Sequence, residues 1–128
     1  MDFTKIYATD YENRRGAYAT SKFTDFTVLE GNGFSANCSS TSGYRLTFPV
    51  NLKPNTTYEL TVTSAGDYYI KLLKYNEDTT YNSYSDLISK AGTQTAVFKT
   101  ENGYKYAISF PFNNDTRIYE NVKLVEKT

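Results

Sequence analysis

The sequence predicts an all-β protein, an antiparallel β-sandwich, on three observations. Apolar and polar residues alternate in short runs: Tyr58, Leu60 and Val62 stand against Glu59, Thr61 and Thr63, and Tyr104, Tyr106, Ile108, Phe110 and Phe112 against Lys105, Ala107, Ser109 and Pro111. Turn formers such as Gly31-Asn32-Gly33, Lys53-Pro54-Asn55, Ala65-Gly66-Asp67 and Glu101-Asn102-Gly103 separate the runs, at the spacing of roughly 8 to 12 residues that sandwiches show. The third observation is aromatic content: 13 Tyr and 8 Phe without a Trp make 16% of the chain, and stiff, broad side chains pack well on a pleated surface.

Residues 1–22 read as a first strand carrying Phe3 and Ile6, then a polar connection with Glu12, Asn13, Arg14, Arg15 and Gly16. From Phe23 a strand through Phe26 and Val28 meets Gly31-Asn32-Gly33, whose residues tolerate positive φ, and a second run follows through Phe34, Ala36 and Cys38. After a Ser/Thr/Gly loop, Tyr44, Leu46, Phe48 and Val50 share one face, while Arg45, Thr47 and Pro49 share the other. Pro49 has no N–H to give to a ladder, so this strand belongs at a sheet edge.

Pro54 and Asn55 then reverse the chain into the strand over 57–64. The next strand, 68–75, has two partly apolar faces, Tyr68, Ile70, Leu72 and Lys74 against Tyr69, Lys71, Leu73 and Tyr75. Its outer face therefore expects a neighbour other than bulk water: a loop, a partner subunit or a ligand groove. Residues 76–93 read as the longest interruption, with a helical turn over 86–90. Strands over 95–100, 104–112 and 118–125 complete the sandwich, the last with Ile118, Val122 and Leu124 on one side.

A chain of 128 residues suits one domain over 1–128 with a two-layer core. Its 14 basic and 14 acidic residues cancel, which argues against nucleic acid as a partner. Without histidine, Ser-His-Asp and Cys-His catalytic arrangements are excluded, as are histidine zinc sites. Cys38, the single cysteine, has no intramolecular disulfide partner and suits a small buried strand residue. No window reaches the ~18 apolar residues that suggest a membrane span, so membrane insertion is not expected, nor does Met1-Asp2-Phe3 open a secretory signal.

Two segments carry a family resemblance: Leu52-Lys53-Pro54-Asn55-Thr56-Thr57-Tyr58-Glu59-Leu60 and Ile118-Tyr119-Glu120-Asn121-Val122-Lys123-Leu124-Val125-Glu126. They resemble the turn-and-strand and the closing strand of carbohydrate-binding-module-like jelly-roll domains, galactose-binding-like in fold, in tail and host-recognition proteins of phages of Gram-positive bacteria and in bacterial surface glycosidases. The last residues depart from that pattern, since Val125-Glu126-Lys127-Thr128 has no terminal Gly. The resemblance implies a jelly roll and a non-catalytic module on a virion tail or cell surface, with a polysaccharide or glycan as ligand. A structural module of the same fold, contacting copies of itself or other virion subunits, is the alternative. The shared residues build scaffold and name no ligand contacts.

Those contacts are argued from chemistry. Saccharides stack on aromatic rings and hydrogen-bond to polar side chains held nearby. Tyr69, Lys71 and Tyr75 share one face of their strand, and Arg45 joins them if its strand lies in the same sheet; the other reading is that these tyrosines cover sheet surface under the loop. Tyr81, Asn82 and Tyr84 are loop candidates. Calcium, through Asp78 and Asp86 or Asn114 and Asp115, is a lesser reading because no acidic cluster has the spacing of a calcium loop and turn formation explains Asn114-Asp115. Glu59, Asp67, Glu77 and Glu101 are scattered and do not form the carboxylate pair that a glycosidase needs; an enzyme is not expected. The sequons at Asn37, Asn55 and Asn114 are chance matches in Asn/Thr-rich turns.

Overall fold

The computed structural model describes residues 1, 3, 23–39 and 44–127. Apart from Met1 and Phe3, the strand and polar connection expected over residues 1–22 lie outside the described residues. Among the described residues the strands are β1 (Phe23–Val28), β2 (Gly33–Cys38), β3 (Tyr44–Val50), β4 (Thr57–Ser64), β5 (Ile70–Asn76), β6 (Tyr81–Ile88), β7 (Gly92–Lys99), β8 (Tyr104–Phe112) and β9 (Thr116–Glu126). They form a five-stranded sheet, β1-β2-β9-β4-β7, and a four-stranded sheet, β3-β8-β5-β6. β2 pairs with β9, β3 with β8, β4 with β7 and β5 with β6, all antiparallel. This nested pairing is a long hairpin rolled on itself, which makes the antiparallel sandwich a jelly roll.

Alternation drives the layers together. β4 buries Tyr58, Leu60, Val62 and Ser64 and leaves the residues between them half-buried. Phe34, fully buried, holds the middle of the core, with ring centroids 4.9 Å from Phe48, 5.0 Å from Phe110, 5.3 Å from Phe3 and 5.4 Å from Tyr119. Gly33 must be a glycine, because a Cβ there would run into the Tyr119 carbonyl. Among the described residues β3 is an edge strand, pairing only with β8 and carrying Pro49 opposite Ala107.

The Pro54-Asn55 turn is held by a residue far along the chain. Asn55 takes a left-handed φ of 51°. Buried Thr100 donates its hydroxyl to the Lys53 carbonyl (2.5 Å) and accepts from the Thr56 N–H (3.0 Å), while the Tyr58 hydroxyl accepts the Lys53 N–H (3.0 Å). Each polar backbone group so paired avoids the cost of burial without a partner.

Two expectations are corrected. The long interruption over 76–93 holds strand β6 at its centre, with the end of β5 at Asn76 and the start of β7 at Gly92. A tight turn replaces the loop: the Asn76 N–H donates to Thr80 O (2.8 Å), Thr79 takes φ 71°, and the Asp78 carboxylate accepts from Thr80 N–H (3.0 Å) and hydroxyl (2.6 Å). β6 hides from a period-two reading because register shifts near Asn82 and Leu87 break its alternation, and the helical turn expected over 86–90 is absent from it. In β9, Ile118 is exposed whereas Tyr119 and Val122 are buried. Asn121, at φ 52°, bulges the strand where its register with β4 shifts, so Ile118 and Val122 face opposite ways.

Candidate functional site

The outer face of the four-stranded sheet gathers residues that are distant in sequence. The register Thr47↔Ser109, Lys71↔Ser109 and Lys71↔Asp86 makes one transverse row, Thr47-Ser109-Lys71-Asp86. The register Pro49↔Ala107, Leu73↔Ala107 and Leu73↔Tyr84 makes the next, Pro49-Ala107-Leu73-Tyr84. Arg45 therefore does join the sheet that carries β5.

Arg45 lies across this face. Its Nε donates to Ser109 Oγ (2.7 Å), and its Nη2 donates to the carbonyls of Ser109 (3.0 Å) and Tyr69 (2.6 Å). Beneath it, the Thr47 hydroxyl donates to Ser109 Oγ (3.2 Å), and both hydroxyl residues are fully buried. A planar guanidinium with several fixed donors is suited to such a fork. Lys71 leans over β6, with Nζ 3.4 Å from Asp86 Oδ1 and 3.8 Å from the Tyr84 ring centroid, a cation–π contact.

At the end of the sheet where Arg45 and Lys71 lie, a cleft of ≈ 350 Å³ opens, lined by Tyr68, Tyr69, Asn113 and Arg117 as well as those two cations. Tyr69 stands 54% exposed. Tyr68 folds back over Gly66, where any Cβ would collide with its ring. The Arg117 guanidinium covers Tyr68 at 3.8 Å from the ring centroid, donates to Asp115 Oδ2 (2.7 Å) and donates to the Pro111 carbonyl (3.0 Å). Tyr119 also donates its hydroxyl to Pro111 O, and burial raises its pKa well above the ordinary phenol range, so it stays a neutral donor.

Three of the residues expected from sequence, Arg45, Tyr69 and Lys71, thus line one cleft, and Tyr84 adjoins them under Lys71. Tyr75, Tyr81 and Asn82 lie at the other end of the hairpin, about 13 Å along β5 from Lys71 to Tyr75 at the usual strand rise. Tyr75 is fully buried with Leu73 and Ala107, its ring centroid 6.0 Å from that of Tyr81. Its ring is closed off from solvent beneath Tyr81, whereas Tyr69 stands exposed at the cleft. Asn82 donates to the Asn76 side chain (3.0 Å) and braces the turn.

Tyr68, Asn113 and Arg117 escaped the sequence reading. The alternation over 68–75 puts Tyr68 on the face of Ile70 and Leu72, and its ring does pack on the core, 5.9 Å from that of Tyr119, while nothing in the sequence singles out Asn113 or Arg117; the basic and aromatic character of residues flanking two turns is the only signal, and it does not show that the turns meet. The carboxylates here are each held by donors: Asp67 accepts the Ala91 N–H (2.9 Å), Asp86 pairs with Lys71, and Asp115 with Arg117. Among the described residues no group of three or more acidic or Cys side chains gathers as metal ligands, and no helix is long and apolar enough to cross a membrane.

No family model and no curated protein matches the chain. Solved structures do share its fold. The structure of accessory secretory proteins 1, 2 and 3 from Streptococcus pneumoniae includes a chain that is 13% identical, with 100% of this chain covering 99% of that one at a TM-score of 0.59. A CBM4 structure is 13% identical over 80% of this chain and 88% of its own, with a TM-score of 0.50. The enzymatically active domain of Bacteriophage CBA120 tailspike protein 4 is 10% identical over 94% of this chain but only 22% of its own length, with a TM-score of 0.50. At such identities the likeness establishes the β-sandwich fold.

Proposed function

We propose that this chain is a non-catalytic carbohydrate-binding module that recognises a cell-surface or cell-wall polysaccharide as part of a phage tail or surface protein. The observation that carries the reading is the cleft in which exposed Tyr69 stands beside Arg45, Lys71 and Asn113. An aromatic ring can stack on the C–H face of a pyranose, and guanidinium, ammonium and amide groups can hydrogen-bond its hydroxyls. The jelly-roll fold shared with a CBM4 structure supports the ligand class, and that shared with a phage tailspike supports the setting. The non-catalytic reading is supported by the carboxylates of the cleft, which are tied to cations or to a loop N–H rather than set as an acid and base pair.

The test is retention of the protein by immobilised polysaccharides and by purified Gram-positive cell walls, with a glycan array to name the sugar. Tyr69→Ala should reduce retention about tenfold or more, a loss of one stacking ring, with the unfolding midpoint unchanged. Sugar release in the same incubations, or full retention by Tyr69→Ala, would refute the proposal.

A further inference from the structure

Among the described residues the two sheets of the sandwich present four edges, and they are not alike. β1 carries a bulge, with Asp25 at φ 56° and a register shift between Thr24 and Thr27. β3 carries Pro49 and Arg45. β6 carries two register shifts and Asp86. Bulges, prolines and charges are the devices by which exposed edges are kept from pairing with other chains. β7 has neither bulge nor proline. All eight of its residues pair in unbroken register with β4, from Ser64↔Gly92 to Thr57↔Lys99, and its only charge, Lys99, stands at its last position. Among the described residues no strand pairs with its other side. Its outward residues Thr93, Thr95 and Val97 are exposed, Val97 at 55%.

We infer that β7 is an interface strand, and that its partner is the β7 of a second copy of this chain, paired antiparallel so that the five-stranded sheets join. The pattern is self-complementary about Thr95. A two-fold axis there sets Thr95 opposite Thr95 of the partner subunit and Thr93 opposite Val97 of the partner subunit, which are β-branched cross-strand pairs of the favourable kind. Charge chooses the direction: an antiparallel ladder sends the two Lys99 side chains to opposite ends, whereas a parallel one sets them side by side. One strand-to-strand contact buries less than the roughly 1,200 Å² of standard interfaces, so the dimer is weak, with a Kd of about 10 µM to 1 mM. Two clefts on one dimer would raise retention on a repeating polymer by avidity.

Sedimentation equilibrium across that concentration range should show the 14.6 kDa chain passing reversibly to twice its mass. Thr95→Lys faces two ammonium groups across the axis and should weaken the dimer about tenfold or more, as should Thr95→Glu through its carboxylates. Mixing the two variants should restore a heterodimer, which a folding defect would not do. A chain that stays monomeric to about 1 mM, or a dimer indifferent to Thr95→Lys, overturns the inference, and so does failure of the mixed variants to associate.

Discussion

The two outer faces of the sandwich are both made of residues that alternate away from the core, yet they are built differently. On the four-stranded sheet the outward residues Thr47, Leu73, Tyr75, Ala107 and Ser109 are fully buried, beneath side chains such as Arg45 and Tyr81 that fold across them. On the five-stranded sheet the corresponding positions hold Thr61, Thr63, Thr93, Thr95, Val97 and Val125, open or half-open to solvent. The threonines there satisfy one another, as in the 2.7 Å contact between the Thr63 and Thr93 hydroxyls. One face folds long side chains over its outward residues and opens a cleft at its end, and the other sets Glu59, Lys99 and Lys123 among threonines and valines that stay open or half-open. Outward alternation therefore says nothing about whether a surface is solvent, second core or site; the length and charge of the side chains beside it decide.

The sharpest way to break the comparison is stability. Tyr75→Ala should cost about 3–5 kcal/mol, as for a buried aromatic, while Val97→Ala, equally outward in pattern, should cost under about 0.5 kcal/mol. Urea denaturation of the two variants measures both, and similar values would erase the distinction. Next, Arg45→Ala strips the donors from Ser109 and Tyr69 and should cost about 1–3 kcal/mol. Arg45→Lys keeps the charge without the fork and should recover only part of that loss. Polysaccharide retention should fall in both, since Arg45 lines the cleft.

The smallest effect concerns the turn that shapes the β5–β6 hairpin. Hydrogen bonds from the Thr80 side chain and N–H hold the Asp78 pKa below the ordinary carboxylate value. A depressed folded pKa stabilises the fold above the unfolded carboxylate range, and this contribution is lost as pH falls through the lowered folded value. Thr80→Ala should move the Asp78 titration, followed by carboxyl NMR, back toward the ordinary range.

Much of this was legible in the chain. β3, β4 and β8 emerge at the expected residues because their apolar side chains alternate without interruption and a turn former bounds each one. β6 was not legible: an edge strand needs little apolar alternation, and two bulges shift the phase of what there is. Of the candidate site, Arg45 and Lys71 are legible because strand period puts a charged side chain outward, whereas Tyr69, expected within a strand over 68–75, lies just before β5, which begins at Ile70. Tyr75 obeys the same period but is covered, and Arg117 reaches the cleft from a different sheet.

By itself, then, the sequence determined local conformation: the alternating strands, the positive-φ turn at Gly31-Asn32-Gly33, the edge status of Pro49 and the absence of histidine chemistry. Each depends on one residue or its immediate neighbours. The tertiary structure alone decided that Thr100 locks the Pro54 turn, that Arg45 crosses to Tyr69, and that Tyr68 and Arg117 meet at the cleft. These are pairings between strands far apart in the chain, set by which sheet and register each strand takes, and the period of a single strand carries no record of its neighbour.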